Sequence, residues 1–347
     1  MTTAFGGIAL SRPYVLASGE GSFPADEHLG LDGFLTTAAK RLVALVGTVK
    51  SFVQAERLLA ELCGWSVDAE TIRRTTHAAA KAIAASRPSR ADAGPFAAAA
   101  GEIEVAIDAG KVNTRIGWKD VKIAVFLRRI AGTPATPPQW DTRTLPRPTN
   151  RVLVAAIEDA EAFTRRVRSE ADRLDVTLAN ALTVLGDGAE WIWNLSETVF
   201  PLADEMLDAF HAIEHIGDAV KAVWGDGTEA TASHRDAARQ ALLTDGKIGV
   251  ERWLQTALPQ VPPGVSHEPL VGLLAYLAKH PTRLDYAQRL AEGRSIGSGA
   301  VESAVKQTVN LRLKRTGARW RLEHVGPLVE LIALSGTPEW DAAWVAA

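Results

Sequence analysis

The run VKIAVFLRRI, residues 121–130, narrows the choice of fold more than any other stretch of the chain. It is β-branched and apolar, and it lacks the alternation that a strand with one wet face would show. That is the profile of a strand covered on both sides. Such a strand calls for helices packed over both faces of its sheet, hence an α/β architecture. EIEVAIDAG, 102–110, alternates and then reaches an aspartate, Asp108. RVLVAAI, 151–157, reads as a further strand and 159–175 as an amphipathic helix, after a long proline-rich loop at 131–148. ALTVLGDGAEWIWN, 181–194, offers a short apolar strand, a second aspartate at Asp187, and a helix.

Helical periodicity flanks this block. From Leu31 to about Ala93 apolar residues recur at three- and four-residue intervals. Gly47 and Gly64 sit where helices would end, and Ser66 or Asp68 where the next would be capped. Both a helix-turn-helix and a plain packing module fit that pattern. Residues from about 206 to 290 read as helical throughout, and the last fifty as a helix from Gly299, a turn at Gly317 and one or two more helices. The expected organisation is an irregular segment 1–30, a helical unit 31–98, the first part of an α/β core at 99–210, a helical insertion 211–292 and a C-terminal helical part 293–347.

Composition excludes several classes. The chain has 347 residues with 47% hydrophobic, enough for a sizeable core, and a single cysteine, Cys63, which rules out an internal disulfide or a multi-cysteine zinc site. MTTAFGGIALSRPYV has no basic segment followed by an apolar one, so a secretory signal is not expected and a cytoplasmic location is. No apolar run approaches the length of a membrane span, about 18 residues or more. The net charge of −3 argues against a protein that coats nucleic acid with its whole surface. Charge is nonetheless uneven: between Arg294 and Arg321 seven bases meet one acid, Glu302. A basic stripe on an acidic body is a local footprint for a polyanion, although a solvated helix face gives the same pattern.

Asp108 and Asp187 share one grammar, each following an apolar run and preceding a small residue. Strand ends in a helix-covered sheet are where side chains converge on a site. A lone aspartate there is more often a turn former or helix cap. Two of them joined by a third carboxylate would suit Mg²⁺ (or Mn²⁺), which prefers oxygen ligands, and a pair of such ions serves phosphodiester chemistry. Glu302 lies in the first turn of the helix that follows the glycine-serine-glycine turn 297–299, with Lys306 one turn on. Gly297 and Gly299 would let backbone approach a ligand, and a helix N-terminus favours phosphate. A surface pair of Glu302 with Lys306 is the plainer reading, but it leaves the glycine turn unexplained.

IGSGAVESAVKQTVNLRLKRTGARW (296–320), followed by LSGTPEWDAAW (334–344), closely resembles the C-terminal signature of bacterial insertion-sequence transposases of the ISKra type. VAIDAGKVNTRIGWKDVKIAVF resembles their first-aspartate strand and hairpin, LTVLGDGAEWIWN their second-aspartate strand, and LDAFHAIEHI their Asp-x-aromatic-His segment. LVGTVKSFVQAERLLAELCGWSVDAETIRR, 45–74, resembles their N-terminal domain. The resemblance implies a DDE enzyme with a ribonuclease H-like core and a helical insertion. It makes Asp108, Asp187 and Glu302 the catalytic, metal-binding triad, with two Mg²⁺ ions (or Mn²⁺) as cofactors, and puts Asp208 and His211 beside the site. Double-stranded DNA, both element ends and target, is the implied partner, together with self-association. Arg294, Lys306, Arg312, Lys314, Arg315, Arg319 and Trp320 are then the candidates for DNA contact. ASGEG, 17–21, stands where relatives carry a Cys-x-x-Cys-Gly pair, so a zinc-held DNA-reading element is not expected here.

Three rivals differ from this reading. HAIEH, 211–215, matches the pattern of inverted zinc peptidases, a five-residue match that arises readily by chance. A domesticated DNA-binding protein would keep the basic segment but gain nothing from carboxylates beside phosphates. Another ribonuclease H-like nuclease, such as a junction resolvase, would use the same metals. Of the ten tryptophans, Trp191, Trp193, Trp340 and Trp344 read as core, leaving Trp320 as the one considered for stacking.

Overall fold

The computed structural model describes residues 1–4, 6–17, 20–29, 31, 33–86 and 93–345. It is a mixed α/β protein built on one five-stranded mixed sheet. The strands are β1 (Glu102–Thr114), β2 (Gly117–Arg129), β3 (Asn150–Ala156), β4 (Leu182–Gly186) and β5 (Asp204–Leu207), in the order β3-β2-β1-β4-β5. β1, β2 and β3 form an antiparallel meander, and β4 and β5 join parallel to β1. The reading of 121–130 holds: Val121 and every residue from Ile123 to Leu127 are buried, on both faces of the strand.

The first helical unit comprises α1 (Thr37–Val49), α2 (Phe52–Cys63) and α3 (Ala69–Ser86). Gly64 closes α2 in the left-handed region, as expected. Asp68 rather than Ser66 caps α3, its Oδ1 accepting from Thr71 N at 2.9 Å. Gly47 does not end a helix. It lies inside α1, where a Cβ would fall 2.2 Å from the Thr76 hydroxyl, so its absence lets α1 and α3 touch. Between β3 and β4 runs α4 (Ala160–Arg173), and between β4 and β5 runs α5 (Glu190–Val199). The stretch expected to be wholly helical from about 206 opens instead with the end of β5. Four residues, DEML, are too few to display a period of two.

The helical stretch after β5 consists of α6 (Ala209–Trp224), α7 (Glu229–Ala257), α8 (Glu268–Leu277) and α9 (Tyr286–Ala291). α7 is kinked at Asp245–Gly246, where Gly246 lies against the Leu284 carbonyl. α10 (Gly299–Val305) widens into a π-type turn at Lys306–Asn310, and α11 (Leu322–Ser335) and α12 (Trp340–Val345) end the chain. Leu331, Leu334 and Trp340 from these last helices form one buried cluster with Ala44, Ala80 and Ile83 of the first unit. The N-terminal helices are thereby fastened to the α/β body. Before Leu31 the described residues form two short hairpins and one helical turn, Pro24–His28. Within ASGEG, Ser18 and Gly19 lie outside the described residues. No helix among the described residues is long and apolar enough to cross a membrane.

Candidate carboxylate site

Ile107 of β1 pairs with Gly186 of β4, and Gly186 pairs with Leu207 of β5. The next residue on each strand is an aspartate. Asp108, Asp187 and Asp208 therefore form one row at the carboxyl ends of three adjacent parallel strands, which in such sheets stand about 4.8 Å apart. Asp108 does not end its strand, as its motif suggested: β1 runs six residues further to Thr114, paired with β2 and bridged at its end by Trp320. What ends at Ile107 is the parallel pairing with β4.

The helix bearing Glu302 lies across this point. A Cβ on Gly110 would fall 2.9 Å from Val305 Cγ1 and 3.1 Å from Val309 Cγ2, so only glycine lets the helix and the turn after it settle on β1. Asp108 and Gly110, two residues apart, share that face. Gly110→Ala is expected to lift the Glu302 helix, costing about 1–3 kcal/mol of stability. Adding Val305→Ala should recover much of that loss, as paired urea titrations would show.

The glycine-serine-glycine turn is tied down by Asp208. Asp208 is fully buried and caps α6, its Oδ1 accepting from Phe210 N at 2.7 Å. Its Oδ2 accepts from Ser298 N at 2.9 Å and from the Ser298 hydroxyl. Ala209 N donates to the Ile296 carbonyl at 2.9 Å. A Cβ on Gly297 would strike the Phe210 ring at 2.6 Å, whereas one on Gly299 would meet nothing within 4 Å. Gly297 is thus small to admit Phe210, and Asp208 is a positioning residue that straps the Glu302 helix to β5.

Electrostatics tie the residues together. Burial pushes the Asp108 carboxyl up to about 6; the nearby Asp187 and Glu302 charges push the same way, against a backbone hydrogen bond from Ala109 and the His211 charge. Glu302 is also raised, first by partial burial and then by Asp208. His211 lowers both and so stands beside the site, 3.3 Å from Glu214. Asp187 accepts from Ala189 N at 2.9 Å, opening α5. Among the described residues, however, no three His, Cys, Asp or Glu side chains are grouped to hold a metal ion. The donor chemistry of Asp108 and Asp187, hard oxygens on neighbouring strands, fits Mg²⁺; the full triad is not drawn onto one point. HAIEH gives no such group either, since His215 stacks on Tyr276 with ring centroids 3.9 Å apart.

The basic stripe divides. Arg312 is not a surface cation. It is 3% exposed, donates to the Gly47 carbonyl at 2.8 Å, lies between the rings of Phe52 and Trp320, and is pushed down to about 10 by burial. Arg294 is paired with Glu102 and Glu292. Trp320 is held in place: its indole donates to the Leu313 carbonyl and its backbone bridges Asn113 and Arg115 of the hairpin. Arg315 donates to Gln54 Oε1. Lys306, Lys314 and Arg319 remain exposed, and Lys306 makes no ion pair with Glu302. Sequence patterns had no signal for Gly110 or for the strapping role of Asp208, both of which depend on a neighbour distant along the chain.

No protein-family model matches the chain, and no curated protein matches it.

Proposed function

We propose that the chain is a DDE transposase-like enzyme with a ribonuclease H-like core, which cuts DNA at the ends of an insertion sequence and joins the freed 3′-hydroxyl to target DNA. The observation that carries this reading is the row of Asp108 and Asp187 on adjacent parallel strands, with the Glu302 helix seated over the same strand. A meander joined by two parallel strands, followed by a helical insertion, supports the fold that the motifs imply.

In this reading Asp108 and Asp187 would hold Mg²⁺ as oxygen donors, with Glu302 bordering them. When bound, the metal supplies an activated attacking oxygen and stabilises the leaving one. The chain's own contribution is positional. Asp208 fixes the turn before Glu302, Gly110 sets the height of the helix over β1, and His211 offsets part of the mutual repulsion of Asp108 and Glu302. Lys306, Lys314 and Arg319 meet the phosphate backbone without reading sequence.

Glu302→Gln tests the assignment. Its expected result is loss of Mn²⁺-dependent nicking and of strand transfer from a 3′-hydroxyl end, with DNA binding unchanged or tighter because one negative charge has left a phosphate-binding surface. Retained nicking, or lost DNA binding in a folded variant, would overturn the role given to Glu302. Nicking without strand transfer would favour another nuclease of the same fold.

A further inference from the structure

Arg115 lies at the tip of the β1–β2 hairpin, at a strand's rise about 23 Å beyond Asp108. There a cleft of about 310 Å³ opens between α2, α3, the hairpin tip and the segment leading into α11. Arg73, Arg115, Arg319 and Arg321 line it, and Lys81 and Arg312 stand close enough to act on His77 within it. Two carboxylates answer them: Glu70 holds Arg73, and Glu323 lies 3.7 Å from both Arg321 and His324. Arg115 and Arg319 are exposed and make no ion pair among the described residues.

The floor is the unusual part. His77 is 9% exposed, and its Nε2 has no hydrogen-bond partner. Its ring stacks on His324 with centroids 4.3 Å apart, and Nδ1 of His324 is likewise without a partner. A buried ring nitrogen left unpaired destabilises the fold unless a ligand satisfies it. Burial, and after it the charges of His324, Arg73, Arg312 and Lys81, holds His77 down to about 4. Two stacked imidazoles beneath a rim of guanidiniums form a donor-rich, acceptor-poor cavity. An oxyanion meets each of those needs: it accepts from the rings, pairs with the free guanidiniums and offsets the crowding of cations.

We propose that this cleft is a phosphate subsite that takes a phosphodiester of the DNA backbone onto Arg115 and Arg319, with His77 and His324 donating from below. The choice of DNA as the phosphate's source rests on the function proposed above; the chemistry of the cleft does not. A duplex crossing the carboxylates would reach the cleft after about seven nucleotides, at about 3.4 Å per phosphate along a strand. Trp320 then serves the subsite from behind, packing on buried Arg312 and holding the hairpin tip through Asn113 and Arg115.

The test uses the full chain and the double variant Arg115→Ala/Arg319→Ala, whose substitutions lie on the surface and leave the core intact. Duplex affinity is measured across a range of salt concentrations, and histidine ring resonances are followed during addition of inorganic phosphate. In the native protein, phosphate should shift the His77 and His324 signals, and the double variant should lose that shift. The slope of log affinity against log salt should fall by about 1.8 for two phosphate-contacting cations removed, at roughly 0.9 per contact. An unchanged slope with a retained phosphate response would assign the cleft to a small phosphorylated molecule and overturn the DNA assignment. Absence of both effects would overturn the subsite altogether. Neither readout requires strand cutting, so an inactive enzyme would count against the proposed function while leaving this result standing.

Discussion

Asp108→Asn is expected to abolish DNA cleavage and yet to be more stable than the native chain at neutral and higher pH. The carboxyl is pushed up to about 6 from an ordinary 3.8, chiefly because it is buried. A folded-state value above the unfolded one means that the native state holds the proton more tightly. Asp108 therefore contributes most to stability below about pH 4, and that contribution is lost as pH rises through 6. Above that pH an ionised Asp108 is a burden on the fold, on the order of 3 kcal/mol for a shift of this size. An asparagine has the shape without the charge, so the gain should be near 3 kcal/mol at about pH 8 and close to nothing at about pH 4. Urea titrations at the two values measure it directly. Over the same range cleavage should drop by on the order of 10³-fold, about 4 kcal/mol of transition-state stabilisation. Mg²⁺ should stabilise the native chain more than the variant, because the variant offers the ion one negative charge fewer beside Asp187 and Glu302. A variant less stable than the native chain at pH 8 would show that the carboxylate is satisfied by its surroundings rather than held there for a cation.

A gain in stability on loss of function is the mark of a group kept in a costly place, and such places are poorly visible in a sequence. Asp108 and Asp187 were legible because each follows an apolar run, and strand ends gather side chains. Their register was not: only the pairing of Ile107 with Gly186 puts them side by side. The stretch 121–130 was legible because uninterrupted burial leaves a compositional trace. β5 was not, since four residues carry no period. Arg312 misled for the opposite reason. Its charge suggested an outward phosphate contact, yet the long side chain turns inward to Gly47 and two aromatic rings. Charge counted along a chain does not say which way a guanidinium points. Gly297 is the instructive case among the turn residues: close approach of backbone to a ligand was the expected reason for it, and the structure shows the Phe210 ring in the space a Cβ would take.

Asp208→Ala should unfold the chain more readily than any other single change in the carboxylate row. Asp208 has no exposure to water and accepts from Phe210 N, Ser298 N and the Ser298 hydroxyl. Truncation would leave the buried Ser298 N–H without a partner, costing about 1–3 kcal/mol. The bond from Phe210 N that caps α6 would go with it, about 1 kcal/mol more. A total of roughly 2–4 kcal/mol is a substantial part of what a domain has to spare, commonly about 5–15 kcal/mol. The conservative change separates strap from charge. Asp208→Asn keeps one acceptor oxygen, so it should retain either the cap or the tie to Ser298 and lose about half as much stability. Activity should then follow the position of Glu302 rather than the charge of residue 208. If Asp208→Asn is folded and its Glu302 helix stays in place, substantial cleavage should survive, in contrast to Asp108→Asn. Loss of cleavage equal to that of Asp108→Asn in a fully folded protein would make Asp208 a metal ligand in its own right. The row of three aspartates would then be the catalytic set, and Glu302 would stand outside it.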